Sequence, residues 1–145
     1  MEKNSIDKDK AWNEVIGVLS NLEYPSGEEV LDDAYLAFHY YSEMESGGHE
    51  ILLNWFSGDM KGTDFGLRLI AALEKIGAAG YAAIEGEYGA TLLQRYIALE
   101  NGEGSEEAFY EAVEQADNAY YALDGKLAEL LAEYFLEIHE AATRK

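Results

Sequence analysis

The sequence predicts an all-α protein, a single compact domain of about six to seven helices over residues 1–145. The chain has one proline, and hardly any stretch alternates between apolar and polar residues as a half-buried strand would. Apolar residues instead recur at helical spacing in segments separated by glycine-containing turns. With 48% apolar residues, the chain has enough material for one core, and it has no cysteine for disulfides.

Two helices are expected in the first third of the chain. Apolar periodicity predicts the first over about residues 7–22. Ser26 is the expected N-cap of the second, and Glu29 three residues later would complete a capping box. Gly47 and Gly48 end this helix, with Gly47 in the left-handed conformation that glycine tolerates and Gly48 at the reversal of the chain.

Two shorter helices are expected next. A short apolar helix covers about residues 49–56, directly after the glycine pair. Thr63 or Asp64 is the expected cap of a fourth helix. Gly77 lies where the left-handed residue that ends this helix belongs.

The remaining helices are expected in the second half. Residues 78–100 have helical periodicity, but Gly86 and Gly89 predict a break or kink, because glycine costs about 1 kcal/mol in a helix interior. Ser105 is placed to accept a backbone N–H at the start of the next helix. The last helix is expected over about residues 126–142.

The charge of the chain is strongly negative and unevenly distributed. Twenty-nine acidic residues stand against ten basic ones, which gives a formal net charge of -19. The acidic excess lies in residues 1–60 and 100–140, whereas residues 61–99 are neutral. Such a charge repels nucleic acid and anionic membranes and attracts basic surfaces. We therefore expect a basic protein as the partner, with no direct binding of nucleic acid or membrane.

The expected location is the cytoplasm. The first ten residues contain no apolar segment of the kind that a secretory signal needs. No uninterrupted apolar run approaches the ~20 residues of a membrane helix. The absence of cysteine also suits a reducing compartment.

Rows of carboxylates are expected on the polar sides of two helices and at the start of a third. Side chains three or four positions apart on a helix are neighbours, about 5–6 Å apart at Cβ. A stiff row of this kind is spaced somewhat like backbone phosphates, and a DNA-binding surface rich in Lys and Arg would bind it as a substitute ligand. The expected partner-binding residues are Glu107, Glu111, Glu114, Glu129, Glu133, Glu137 and Glu140, followed by Glu28, Glu29, Asp32 and Asp33.

The most distinctive segment surrounds the glycine pair. A helix ending in Glu-x-x-x-Gly-Gly over residues 43–48 is followed by a short apolar helix and by Ser57-Gly58. Together with residues 71–78, Ala-Ala-Leu-Glu-Lys-Ile-Gly-Ala, this segment resembles the DNA-mimic-protein-like family of helical domains of unknown function. The resemblance covers about residues 30–85.

The resemblance implies an all-helical domain and a homodimer. One branch of the family is implied to be a DNA mimic that binds a DNA-binding transcriptional regulator. Together with the net charge of -19, this suggests a non-catalytic acidic protein-binding domain that needs no cofactor and no metal.

Two alternatives remain open on the sequence. One is a small metal-dependent enzyme built on His39, Glu43, His49 and Glu50, since imidazole and carboxylate groups cluster there in sequence. This cluster lacks the second histidine of a zinc-protease helix. The other alternative is a homo-oligomeric helical protein whose acidity serves only solubility.

Overall fold

The computed structural model describes residues 7–58 and 64–144, with the side chains of residues 56–58 and 64–65 left aside. Within these residues the chain forms seven α-helices and no strand, which confirms the all-α prediction. The helices are α1 (Lys8–Ser20), α2 (Glu29–Gly47), α3 (His49–Gly58), α4 (Asp64–Lys75), α5 (Ala79–Glu100), α6 (Glu106–Ala122) and α7 (Lys126–Thr143). None of the described helices is both long and apolar enough to cross a membrane.

The helices pack as a single compact domain around α2. This helix contacts α1, α3, α4 and α7, while α1 packs along α7 and α5 lies against both α4 and α6. Burying one large apolar side chain contributes about 1.5–3 kcal/mol, so the shared core provides most of the stability. The largest fully buried side chains are Leu36, Tyr40, Met44, Leu52, Leu53, Leu69, Leu73, Tyr81, Leu92, Leu127, Leu131 and Phe135.

Side chains accept backbone N–H groups at the N-termini of four described helices, and at α3 the acceptor is Asp117 of α6. Asp7 accepts the backbone N–H of Lys10 at the start of α1. As predicted, Ser105 caps α6, where its Oγ accepts the N–H of Ala108. The α7 terminus is capped from a distance, because the buried Tyr81 hydroxyl of α5 accepts a backbone N–H from the first turn of α7 at 3.0 Å.

The predicted N-cap of α2 was wrong. The cap residue is Glu28, which makes no side-chain cap bond, and the helix begins at Glu29. Ser26 lies farther upstream, where its backbone N–H and its hydroxyl both bind the carboxylate of Asp32. This tight polar turn competes with the capping box for the serine hydroxyl.

The junction between α2 and α3 depends on Gly48, whereas Gly47 was the residue expected to be left-handed. Gly47 is the last residue of α2, and Gly48 has φ 80° and ψ -161°, a combination that essentially only glycine adopts. A Cβ on Gly48 would also lie 2.6 Å from a carboxylate oxygen of Asp117 in α6. Gly47 therefore ends α2, and Gly48 leaves room for the side chain of Asp117 from α6.

The other predicted helix end is confirmed at Gly77. This residue has φ 88°, its N–H bonds to the carbonyl of Glu74, and the N–H of Ala78 bonds to the carbonyl of Leu73. This pair of hydrogen bonds is the Schellman arrangement, which satisfies the last carbonyls of α4. Thr63, the alternative cap of α4, lies outside the described residues.

The predicted break at Gly86 and Gly89 was wrong. Helix α5 runs without interruption through both residues. A Cβ at either position would find no atom within 4 Å, so neither glycine is needed for close packing. Burial of Tyr81, Ile84 and Leu92 on the same helix outweighs the glycine penalty, because tertiary packing overrides weak local propensity.

Replacing Gly86 with alanine is expected to raise the free energy of unfolding by about 0.5–1 kcal/mol, because alanine loses less backbone entropy in a helix. Urea denaturation followed by circular dichroism measures this change. Gly48→Ala is the matched control and is expected to lower stability, since its backbone angles and its distance to Asp117 both exclude a side chain. A destabilised G86A variant would show that α5 is strained at this point.

Candidate functional site

Two rows of glutamate run along exposed sides of α6 and α7. We define the α6 row as Glu107, Glu111 and Glu114, and the α7 row as Glu129, Glu133, Glu137 and Glu140. Every member is exposed, and the opposite side of each helix is buried in the core. Helix α6 packs against α5 and α3, whereas α7 packs against α1 and α2. Packing against the core therefore fixes both helices in place and leaves both glutamate rows exposed to water.

Few cations lie near these rows. Lys8 on α1 is 3.6 Å from Glu133, and Arg144 is 3.8 Å from Glu140. Both pairs are well exposed, and exposed pairs contribute only about 0–1 kcal/mol. Among the side chains that the structure describes, no cation forms an ion pair with the other five glutamates of the two rows. Their negative charge is thus left to the solvent.

The carboxylates at the start of α2 are placed differently. Lys75 of α4 forms ion pairs with Glu29 at 3.0 Å and with Asp33 at 3.5 Å. Partial burial raises the pKa of Asp33, against the lowering effect of Lys75. Asp32 binds Ser26, while Glu28 is exposed. Glu29, Asp32 and Asp33 therefore already have known partners within the chain.

A buried polar network lies beneath the α6 row. We use this name for Tyr40, His49, Glu85 and Asp117, which come from α2, α3, α5 and α6. The Nε2 atom of His49 is 2.7 Å from Glu85, and its Nδ1 atom is 2.7 Å from Asp117. Tyr40 donates its hydroxyl to Glu85 at 2.7 Å, and Asp117 also accepts the backbone N–H of His49 at 2.9 Å. One imidazole thus joins three helices.

The network holds His49 in its charged form. Burial disfavours the imidazolium, but the hydrogen bonds and charges of Asp117 and Glu85 outweigh it and raise the pKa of His49 to about 9. The imidazolium then donates both ring N–H groups to carboxylates. Burial, followed by the charge of Glu85, raises the pKa of Tyr40 well above its ordinary value, so its hydroxyl stays a donor.

Sequence reasoning missed Glu85 and Asp117 as members of this network. Glu85 lies on the buried side of α5, four residues after Tyr81 and seven before Leu92. A lone carboxylate on an apolar face was the available signal, since such a group is rarely buried without a partner. Its partner His49 is 36 positions away in sequence, and no local pattern connects the two residues.

The residues of the metal-enzyme alternative have other contacts. Both ring nitrogens of His49 are in hydrogen-bond contact with carboxylates, and Glu50 accepts a hydrogen bond from Tyr110. The His39 ring stacks against Trp55, with centroids 5.1 Å apart. No group of three His, Asp or Glu side chains among the described residues is arranged to hold a metal ion.

Aromatic side chains accompany the acidic surface of α6. Tyr110 and Tyr121 are exposed at 47% and 57%. The Tyr110 hydroxyl donates to Glu50 of α3, and this bond raises the pKa of Tyr110. Tyr120 is buried and donates to Glu45 of α2. Exposed tyrosines such as Tyr110 and Tyr121 belong to a residue type that is enriched at protein interfaces.

Comparison with known proteins identifies one family. A family model described as DMP19-like protein matches residues 28–139, which is more than half of the chain. The match confirms the resemblance that the sequence indicated over residues 30–85 and extends it through α6 and most of α7. No curated protein and no solved structure matches the chain.

Proposed function

This chain belongs to the DMP19-like protein family, and from that premise we propose that it is a DNA-mimic-type protein that binds a basic, DNA-binding protein. In this proposal the α6 and α7 rows take the place of backbone phosphates. The partner is a DNA-binding protein such as a transcriptional regulator, and the domain acts by occupying its DNA-binding surface without catalysis.

The exposed and mostly unpaired α6 and α7 rows support this proposal most strongly. Like charges at this spacing cost a few tenths of a kcal/mol per pair within a helix. An exposed row with so few neighbouring cations therefore carries a cost that a basic partner would relieve. The carboxylates at the start of α2 are secondary candidates, because Glu29, Asp32 and Asp33 are already engaged within the chain.

The first experiment asks whether the protein retains DNA-binding proteins and whether DNA competes for them. Immobilised protein is incubated with a cell lysate at low salt, and the retained proteins are eluted with increasing salt and identified. We expect DNA-binding proteins to be enriched, to elute as salt rises, and to be released by their own duplex DNA. Retention that duplex DNA does not reverse would contradict mimicry.

Neutralising the α7 row is expected to weaken binding to a retained DNA-binding protein at least about tenfold at low salt. The variant replaces Glu129, Glu133, Glu137 and Glu140 with glutamine, and the dependence of the association constant on salt should become shallower. Titration calorimetry at several salt concentrations measures both quantities.

A matched control tests whether position or only net charge matters. It replaces four other exposed glutamates with glutamine: Glu23, Glu74, Glu87 and Glu100. This control removes the same charge and is expected to weaken binding by no more than about threefold. Equal losses in the two variants would mean that net charge alone drives the association.

Homodimer formation is a further part of this proposal, and it rests on family resemblance. Analytical ultracentrifugation at several protein concentrations measures it directly. A mass that stays at 16.1 kDa at every concentration would remove the dimer from the proposal.

A further inference from the structure

A small groove lies beside the α7 row, between α1, α2 and α7. Its volume is about 230 Å³, below the roughly 300–1,000 Å³ of sites for drug-sized ligands, so its size suits one side chain. Ala128 and Ala132 of α7 have small side chains and leave the groove open, whereas larger side chains at these positions would fill it. The lining residues are Lys8, Asp9, Trp12, Tyr41, Ala128 and Ala132.

The walls of the groove are aromatic. Trp12 and Tyr41 are half-buried, and their rings meet edge to face with centroids 6.1 Å apart. Trp12 is held from behind by Phe38 and Phe135, at 6.0 Å and 5.2 Å between centroids. The rings therefore have fixed positions and keep part of their surface open to the groove. Aromatic surface attracts cations, and it attracts guanidinium groups most often because they are planar.

The groove is lined by one acidic and one basic side chain, and the basic one, Lys8, pairs with a carboxylate just outside the lining. Asp9 lies on one side, and Glu133 of the α7 row reaches Lys8 at 3.6 Å. The side chains of Lys8 and Glu133 are 53% and 65% exposed, so water weakens this ion pair. A guanidinium that pairs bidentately with Glu133 would therefore replace the ammonium of Lys8. Lys8 thus marks a place where the surface accepts positive charge.

We infer that this groove receives one arginine side chain of the basic partner. The guanidinium packs against Trp12 and Tyr41, pairs with Glu133 and displaces Lys8 from that carboxylate. This inference rests on the proposed function, since it gives the acidic surface a point of specific contact. The aromatic walls add to the preference for arginine over lysine that bidentate pairing with carboxylates already gives.

The test uses two nonapeptides, one of arginine and one of lysine, which carry the same charge. Calorimetry measures their affinities, and the indole N–H resonance of Trp12 reports occupancy of the groove. We expect the arginine peptide to bind about tenfold more tightly, equivalent to about 1.4 kcal/mol, and to shift the Trp12 resonance. Equal affinities with no shift at Trp12 would overturn the inference.

Filling the groove provides the decisive variant, because removing Trp12 would also disturb the core. Ala132→Leu is expected to remove most of the tenfold preference for the arginine peptide and to leave the affinity of the lysine peptide unchanged. Ala141→Leu, on an exposed part of the same helix, is the matched control and should change neither. An A132L variant that retains the arginine preference would contradict the inference.

Removing the competing cation tests the displacement of Lys8. Lys8→Gln is expected to tighten binding of the arginine peptide about threefold more than Lys10→Gln, which removes the same charge from the same helix. Equal effects would show that Lys8 does not occupy the site.

The outcomes separate this inference from the proposed function. If both peptides bind and A132L changes neither, the groove is not used, and the acidic rows still stand as the binding surface. If neither peptide binds at low salt, the rows attract no cation, and both proposals fail together.

Discussion

Replacing His49 with leucine is expected to lower the free energy of unfolding by about 3–5 kcal/mol. The substitution leaves the carboxylate of Glu85, which is 5% exposed, without the cation that compensates its charge. Asp117 loses its bond to the imidazole ring, although it keeps the backbone N–H at position 49. Because domains of this size are stable by only about 5–15 kcal/mol, this one change removes a large share of the total.

Urea denaturation of the wild type and of His49→Leu measures this effect. His139→Leu is the matched control, since His139 also contacts a carboxylate at 2.6 Å, but the side chain of that residue, Glu14, is 43% exposed. The control is expected to cost no more than about 1 kcal/mol. Equal losses in the two variants would show that the buried network contributes no more to the free energy of unfolding than an exposed contact between histidine and a carboxylate.

A triple variant separates an uncompensated charge from lost packing. Tyr40→Phe, His49→Leu and Glu85→Leu together replace the most buried part of the network with apolar side chains. Replacing a whole buried ionic group in this way is often neutral or stabilising, whereas removing one partner is not. The triple variant is therefore expected to be more stable than His49→Leu alone. If it is less stable, shape rather than charge dominates at this site.

Stability is also expected to fall as pH rises, by up to about 3 kcal/mol between pH 6.5 and 9. The pKa of His49 is raised from 6.5 to about 9 in the folded protein. Between these values the folded chain keeps a proton that the unfolded chain has released, so unfolding loses a proton and becomes easier at higher pH. The contribution is fully present below pH 6.5 and is lost as pH passes through 9, at about 1.4 kcal/mol per pKa unit.

Urea denaturation at half-unit steps of pH measures this slope, and His49→Leu should remove it. The imidazole contacts Glu85 and Asp117, and Tyr40 bonds to Glu85. The pKa of Tyr40 is raised well above 10.0, so this residue does not titrate between pH 6.5 and 9. Its own contribution to the loss of stability appears only at higher pH. A wild type whose stability is unchanged from pH 6.5 to 9 would mean that His49 is not held in its charged form.

Most of the helical framework could be predicted from local patterns. The spacing of apolar residues gave the helices and their buried sides, because the repeat of 3.6 residues acts within a single segment. Ser105 and Gly77 marked helix ends correctly, since both act within one turn of the chain. The same periodicity placed the α6 and α7 rows opposite the core, where they are exposed.

Local signals did not decide three features of the fold. Ser26 binds Asp32 rather than capping α2, and α5 stays continuous through Gly86 because its buried side chains hold it. The terminus of α7 is satisfied by Tyr81, which lies 46 positions earlier in the chain. The continuity of α5 and the capping of α7 do not follow from propensity, because both depend on which helices lie side by side.

The sequence by itself determined the helical class and the two rows of negative charge, since these follow from composition and from the period of single helices. It also indicated the family, through the resemblance of the segment around the glycine pair. Only the tertiary structure decided that His49 meets Glu85 and Asp117, and that Trp12 and Tyr41 line one groove with α7. A hydrogen bond or a cavity forms between surfaces that packing brings together. Because the residues that bind His49 lie 36 and 68 positions away in sequence, no local sequence pattern predicts these contacts.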